Sequence, residues 1–77
     1  MKSSLPFCIK TIKEKGQNIQ AELKELFTLL NDHKDDVDTF KYDDIALMER
    51  IADRIEENHT TMKAFIMKAY DIVEEQQ

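Results

Sequence analysis

Apolar residues recur at alternating steps of four and three along most of this chain, and no other feature of the sequence constrains its fold as strongly. The first series is Leu5, Ile9, Ile12, Ile19, Leu23, Leu26 and Leu30, with Gly16 at the position that lacks a side chain. The second series is Ile45, Met48, Ala52, Ile55, His59, Met62, Ile66, Ala69 and Val73. Residues with this spacing share one face of an α-helix, as in coiled coils and helical bundles. We therefore predict an all-α protein with two long amphipathic helices.

Capping residues indicate where the two helices begin and end. Ser4 offers an N-cap, and Pro6 falls in the first turn, where its missing N–H has no intrahelical partner to lose. The segment 31–44 loses the apolar spacing and contains six aspartates, which are poor helix-interior residues and good caps. We predict a single domain with a helix over 5–31, an acidic loop over 32–43 and a helix over 44–75.

Two stretches could divide these helices into four shorter ones. Gly16 and Asn18 follow two lysines, an arrangement typical of a helix end followed by a new cap. The stretch 58–61, Asn-His-Thr-Thr, has low helix propensity. The apolar spacing passes through both stretches without a change of phase, which favours two unbroken helices. Helices broken near Gly16 and His59 remain the alternative, as does a monomer of three or four short helices.

Two matching series joined by a short loop predict an antiparallel helical hairpin. In the predicted register, Leu30 lies level with Met48, Leu23 with Ile55, and Ile9 with Ala69. Many large apolar residues remain outside this seam, and burying each one is worth roughly 1.5 to 3 kcal/mol. Long exposed apolar stripes are uncommon on monomers, so we predict a homodimer of hairpins that forms a four-helix bundle. The residues that we nominate for self-association are Phe27, Leu29, Ile51, Phe65 and Ile72.

Charge is unevenly distributed along the chain, whose formal net charge is −5 at pH 7. Residues 1–24 carry five lysines and two glutamates, whereas residues 25–60 carry four basic and eleven acidic side chains. The acidic loop end of one hairpin would complement the more basic terminal end of another, which favours head-to-tail packing. Exposed ion pairs contribute less than about 1 kcal/mol each, so the charge distribution is only a secondary argument for head-to-tail packing.

His59 is unusual because the rest of its series holds Ile, Met, Ala and Val. It could be a core histidine satisfied by a neighbour such as Asn58 or by water, a pH-sensitive or ligand-contacting group, or a polar residue that fixes the register of the bundle. With Arg50 or Arg54 nearby, His59 is a candidate for contacting an anion in a pocket between helices.

The sequence contains no spacing typical of a catalytic or metal-binding site. Cys8 is better interpreted as a small buried hydrophobe than as a reactive thiol. A calcium loop that started at Asp36 would need a glycine where Lys41 stands and a glutamate where Leu47 stands. Two histidines and one cysteine offer no local zinc spacing, and a single glycine offers no phosphate-binding loop. We expect no cofactor, no metal and no enzymatic activity.

These features favour a non-catalytic protein–protein interaction module, such as a small acidic adaptor or inhibitor. The expected partner is a protein with a basic surface, and the nominated contact residues are Asp35, Asp36, Asp38, Asp43 and Asp44. The acidic balance disfavours nucleic-acid binding, because nonspecific affinity for nucleic acid comes from basic side chains. The alternative function is a helical oligomer that binds or sequesters a small ligand in pockets between helices.

Cysteine content and the N-terminal residues bear on location. The single Cys8 cannot form an internal disulfide, and the first residues lack the longer apolar segment of a secretory signal. No apolar run approaches the roughly 18 residues that a membrane span requires. We therefore expect a cytoplasmic protein that does not enter a membrane.

Overall fold

Two long antiparallel helices joined by a short loop make up the fold. The computed structural model describes residues 4–33 and 36–76. Its elements are α1 (Leu5–His33), a short 3-10 helix (Val37–Thr39) and α2 (Tyr42–Glu75). The two long helices pack against each other, and the described residues include no strand. The predicted all-α class and helical hairpin are confirmed.

Both helices extend slightly beyond their predicted bounds. The first helical hydrogen bond of α1 runs from Cys8 N to the Ser4 carbonyl at 3.1 Å. At the other end, α1 continues to His33, and α2 begins at Tyr42 with Lys41 as its N-cap. Neither helix is interrupted at Gly16 or over 58–61. The alternative of broken, shorter helices is therefore wrong.

Asn58 fits into the middle of α2 because its side chain has partners. Its Nδ2 donates to the Arg54 carbonyl one turn earlier at 2.7 Å. Its Oδ1 accepts a hydrogen bond of 3.1 Å from Asn18 Nδ2 on α1. An asparagine side chain without partners competes for the hydrogen bonds of the helical backbone. The two bonds of Asn58 occupy its amide and remove this competition.

The observed seam keeps half of the predicted positions on α2, because Met48, Ile55, Met62 and Ala69 are half-buried, and the other half moves one residue earlier. Ile51 is fully buried and Phe65 and Ile72 are half-buried, whereas His59 and Ile66 are exposed. On α1 the most buried residues are Cys8 and Thr11, while Ile9 and Leu23 are exposed. Because only every second seam position changes, the rotation about the helix axis is about half of the 100° that separates successive residues. The hairpin thus packs on one edge of a broad apolar arc rather than on its centre.

This rotation corrects the placement of several predicted residues. Ile51, Phe65 and Ile72 do not lie outside the hairpin seam but form part of it, and Leu29 is half-buried. Phe27 remains exposed at the surface of α1. The prediction that His59 occupies the seam of the hairpin is wrong, because its side chain faces solvent. The predicted register of α1 against α2 agrees to within two residues with two observed contacts, Asn18 with Asn58 and Glu22 with Arg54.

The hairpin is a rod with a small core. It measures 58 × 15 × 15 Å and has a radius of gyration of 17.5 Å, against about 11 to 12 Å for a compact domain of this length. Its surface of 6352 Å² exceeds the roughly 4,900 Å² typical of a folded monomer of this mass. Among the described hydrophobic residues, only Cys8 and Ile51 are fully buried. The hairpin alone therefore leaves much of its apolar surface in water.

We predict that Ile51→Ala destabilises the protein by about 2 to 5 kcal/mol, because it removes a fully buried side chain from a small core. Met67→Ala serves as the control, since Met67 is 55% exposed on the same helix. Urea unfolding followed by circular dichroism at one protein concentration measures both effects. Equal losses of stability in the two variants would contradict the placement of Ile51 in the seam and of Met67 outside it.

Candidate interaction surface

The two long sides of the hairpin differ in chemistry. We call one of them the apolar side and define it by residues seven apart on each helix, which are Ile9, Gly16, Leu23, Leu30, Ile45, Ala52, His59, Ile66 and Val73. In an antiparallel pair of helices, equivalent flanks of the two seams lie on the same side. The structure agrees, because Ile9 of α1 lines one groove together with Ile66 and Val73 of α2. Except for His59, this side is built from apolar residues along the whole rod.

A groove at the terminal end belongs to the apolar side. It has a volume of about 420 Å³ and is lined by Leu5, Ile9, Ile12, Ile66, Ala69, Tyr70 and Val73. Tyr70 is 61% exposed and Ile9 is 54% exposed, so large apolar surfaces meet water here. Further along, a Cβ added at Gly16 would lie 3.3 Å from the Met62 side-chain methyl carbon. The Met62 side chain therefore already fills the space beside Gly16, and the absence of a side chain there lets the two helices approach closely.

The opposite, polar side is satisfied within the chain. Arg54 donates from Nε to Glu22 at 2.9 Å and from Nη2 to Glu25 at 3.3 Å. The Arg54 side chain is 42% exposed, so solvent weakens these ion pairs. Near the terminal end, Phe7 packs edge-on against Phe65 with ring centroids 5.8 Å apart. This side offers less unpartnered surface than the apolar side.

His33 organises the loop end. Its ring stacks on Phe40 at 4.1 Å, and its Nδ1 is hydrogen-bonded to Thr39 Oγ1 at 2.7 Å. Thr39 Oγ1 in turn donates to the Asp36 carbonyl at 2.7 Å. The Nε2 atom of His33 lies 3.4 Å from Asp44 Oδ2. The last residue of α1 is thus tied to both the 3-10 helix and the first turn of α2.

The structure divides the aspartates nominated for partner binding into two groups. Asp36, Asp38 and Asp43 are exposed. Asp44 is half-buried, and its Oδ2 accepts a hydrogen bond of 2.9 Å from Lys41 N besides facing His33. Asp35 lies outside the described residues. Asp44 is therefore engaged at the start of α2, whereas the three exposed carboxylates remain open to a partner.

The residues nominated for ligand contact do not converge. His59 lies exposed on the apolar side, and Arg54 is engaged by two glutamates on the polar side. Arg50 is exposed one turn before Arg54. The described structure therefore does not gather the three side chains around one space.

Neither Cys8 nor the acidic side chains of the described residues belong to a metal-binding group. Cys8 is a free cysteine that is fully buried in the seam. Within residues 4–33 and 36–76, no group of three His, Cys, Asp or Glu side chains is placed to hold a metal ion. In the same part of the chain, neither helix is both long and apolar enough to cross a bilayer.

Sequence reasoning missed the role of His33 and the paired asparagines. Asn18 and Asn58 stand within two residues of the same level in the predicted register, and that proximity is the signal that could have revealed the pair. His33 carries no such signal, because its partners lie in an irregular loop. Comparison of the chain with protein-family models, curated proteins and solved structures finds no significant match.

We predict that Asp44→Ala lowers stability by about 0.5 to 2 kcal/mol, because it removes the carboxylate that caps the start of α2. Asp43→Ala is the matched control, since Asp43 is the exposed neighbouring aspartate in the same turn. Thermal unfolding of both variants measures the difference. A larger loss for Asp43→Ala would contradict the capping role of Asp44.

Proposed function

We propose that the protein is a non-catalytic protein-interaction module that works as a dimer of hairpins in a four-helix bundle. The division of its surface supports this proposal: one side of the rod is apolar, and the loop half is acidic. Together these surfaces offer one region for self-association and another for a partner. An adaptor or inhibitor uses such surfaces by contact alone, without a reactive centre.

The apolar side favours association because it is long, continuous and exposed. Ile45 is 53% exposed and Ile9 is 54% exposed at opposite ends of the rod. Contiguous apolar surface on this scale is uncommon on proteins that remain monomeric in water. Transfer of apolar surface out of water contributes roughly 25 cal/mol per Å², so covering this side is the largest available gain in stability.

The acidic half favours a partner with a basic surface. The exposed acidic side chains of this half include Asp36, Asp38, Asp43, Glu49, Asp53, Glu56 and Glu57. Arg54, a base in the same half, is paired with Glu22 and Glu25. Unbalanced negative charge attracts and orients a basic protein, and this attraction weakens as salt screens it.

The alternative function, binding of a small ligand between helices, has less support. Ligand sites combine apolar walls with a few converging polar groups. The terminal groove is lined by apolar side chains and Tyr70, whereas His59 and Arg54 lie on different sides of the rod. A protein partner therefore fits the described geometry better than a polar metabolite.

We predict that Asp36→Asn, Asp38→Asn and Asp43→Asn together weaken partner binding without unfolding the hairpin, because all three carboxylates are exposed. The experiment is capture by the tagged protein from lysate of its source cells after nuclease treatment, followed by titration of the purified partner. The matched control combines Glu14→Gln, Asp71→Asn and Glu74→Gln, which remove the same charge from exposed positions nearer the other end. Equal effects of the two triple variants would contradict a specific acidic surface.

We predict that Ile66→Glu abolishes dimer formation, because it places a charge on the apolar side. Met67→Glu is the control, since this neighbouring apolar residue is 55% exposed and points away from the seam. Sedimentation velocity over a range of concentrations measures the oligomeric state, and circular dichroism checks that both variants stay helical. A wild-type protein that is monomeric throughout this range would refute the proposed dimer.

A further inference from the structure

We infer that the occupant of the apolar side is a second copy of this chain in antiparallel orientation, with the two His59 side chains near the centre of the interface. This inference rests on the proposed dimer and adds the face, the orientation and the residues in contact. It is supported by the position of His59, by the charges that border the apolar side, and by the size of that side.

His59 stands at the middle of the rod. It lies 17 residues after Tyr42 and 16 residues before Glu75, the two ends of α2. In a dimer with twofold symmetry, the same patch of both copies meets itself across the axis. In an antiparallel dimer of rods, the twofold axis passes through the middle of the pair, at right angles to the length of the rods. His59 of each copy therefore lies beside that axis.

Four charged residues border the apolar side in a regular way. Lys13, Glu49, Glu56 and Lys63 are all exposed, and each stands four residues after a residue of the apolar side. Residues four apart on a helix are neighbours one turn apart. Lys13 and Lys63 border the terminal half of the rod, while Glu49 and Glu56 border the loop half. We call these four side chains the charged rim.

The charged rim distinguishes the two orientations. When the copies run antiparallel about an axis beside His59, α2 packs on α2 of the partner copy, so Lys63 of each copy faces Glu56 of the other. When the copies run parallel, α1 packs on α2 of the partner copy, so Lys13 of each copy faces Lys63 of the other, because the two lysines stand at the same level of the hairpin. Like charges across an interface are unfavourable and opposite charges orient the partner. The charged rim therefore favours the antiparallel dimer.

The size of the apolar side fits a stable dimer. The rod is 58 Å long and 15 Å wide, so face-to-face packing covers roughly 800 Å² per copy, the share typical of a stable interface. A partner for this side must carry apolar residues seven apart over the same length on two helices. The chain itself meets that requirement. A polar residue inside such an interface fixes register and orientation, which is the role that this geometry assigns to His59.

Exchange of charge on the rim tests the orientation. The first variant combines Lys13→Glu with Lys63→Glu, the second combines Glu49→Lys with Glu56→Lys, and the third carries all four substitutions. In the antiparallel dimer, each double variant alone associates at least about tenfold more weakly than wild type, because several attractions become repulsions. An equimolar mixture of the two double variants, and the fourfold variant, return to wild-type association in sedimentation velocity at low salt.

Different outcomes separate this inference from the proposed function. If wild type dimerises and both double variants associate as it does, the antiparallel orientation is overturned while the dimer stands. If wild type stays monomeric, the dimer itself is refuted. All four positions are exposed, so the substitutions leave the hairpin folded, and circular dichroism checks this.

Disulfide formation tests the position of His59 by distance. A disulfide needs Cα atoms within about 7 Å of each other. We expect His59→Cys to give a covalent dimer under mild oxidation and Ile45→Cys alone to give none, whereas Ile45→Cys mixed with Val73→Cys links the two chains. Wild type is the control, because Cys8 is fully buried. If wild type dimerises but neither His59→Cys nor the mixture of Ile45→Cys with Val73→Cys forms a covalent dimer, the inference is overturned.

Discussion

A single antiparallel contact between α1 and α2 holds the described part of the chain together, and everything else depends on how narrow that contact is. Two helices meet along one line, so few side chains can be removed from water on all sides. Among the described hydrophobic residues, only Cys8 and Ile51 reach full burial, and Thr11, one turn after Cys8, has 9% exposure. The remaining apolar side chains contact protein on one side and solvent on the other.

The two sides of the rod differ in how far the chain supplies partners for their side chains. On the polar side, Arg54 bridges to Glu22 and Glu25, and Asn58 bonds across to Asn18, so the chain supplies its own partners. The apolar side lacks such an internal partner and presents Ile9 and Ile66 to water. In the dimer that we propose, association covers this side and leaves the acidic loop half for contact with another protein.

Much of the fold could be predicted from the sequence, but the site could be predicted only in part. The unbroken apolar spacing correctly outweighed the weak propensity of Gly16 and of the stretch 58–61, because packing along a helix exceeds local propensity. Among the aspartates, sequence alone could not separate Asp44 from Asp43. The carboxylate of Asp44 meets Lys41 N and His33, and those contacts depend on the path of the loop.

The sequence by itself determined two continuous amphipathic helices, their approximate ends and their antiparallel pairing, because these follow from spacing, caps and the short loop. Only the tertiary structure decided which edge of the apolar arc forms the seam. The arc includes both Ile51 and Ala52 on α2, and periodicity is the same for both choices. Packing against α1 buried Ile51 and left Ala52 and His59 outside, because a two-helix contact is narrower than the arc that this sequence encodes.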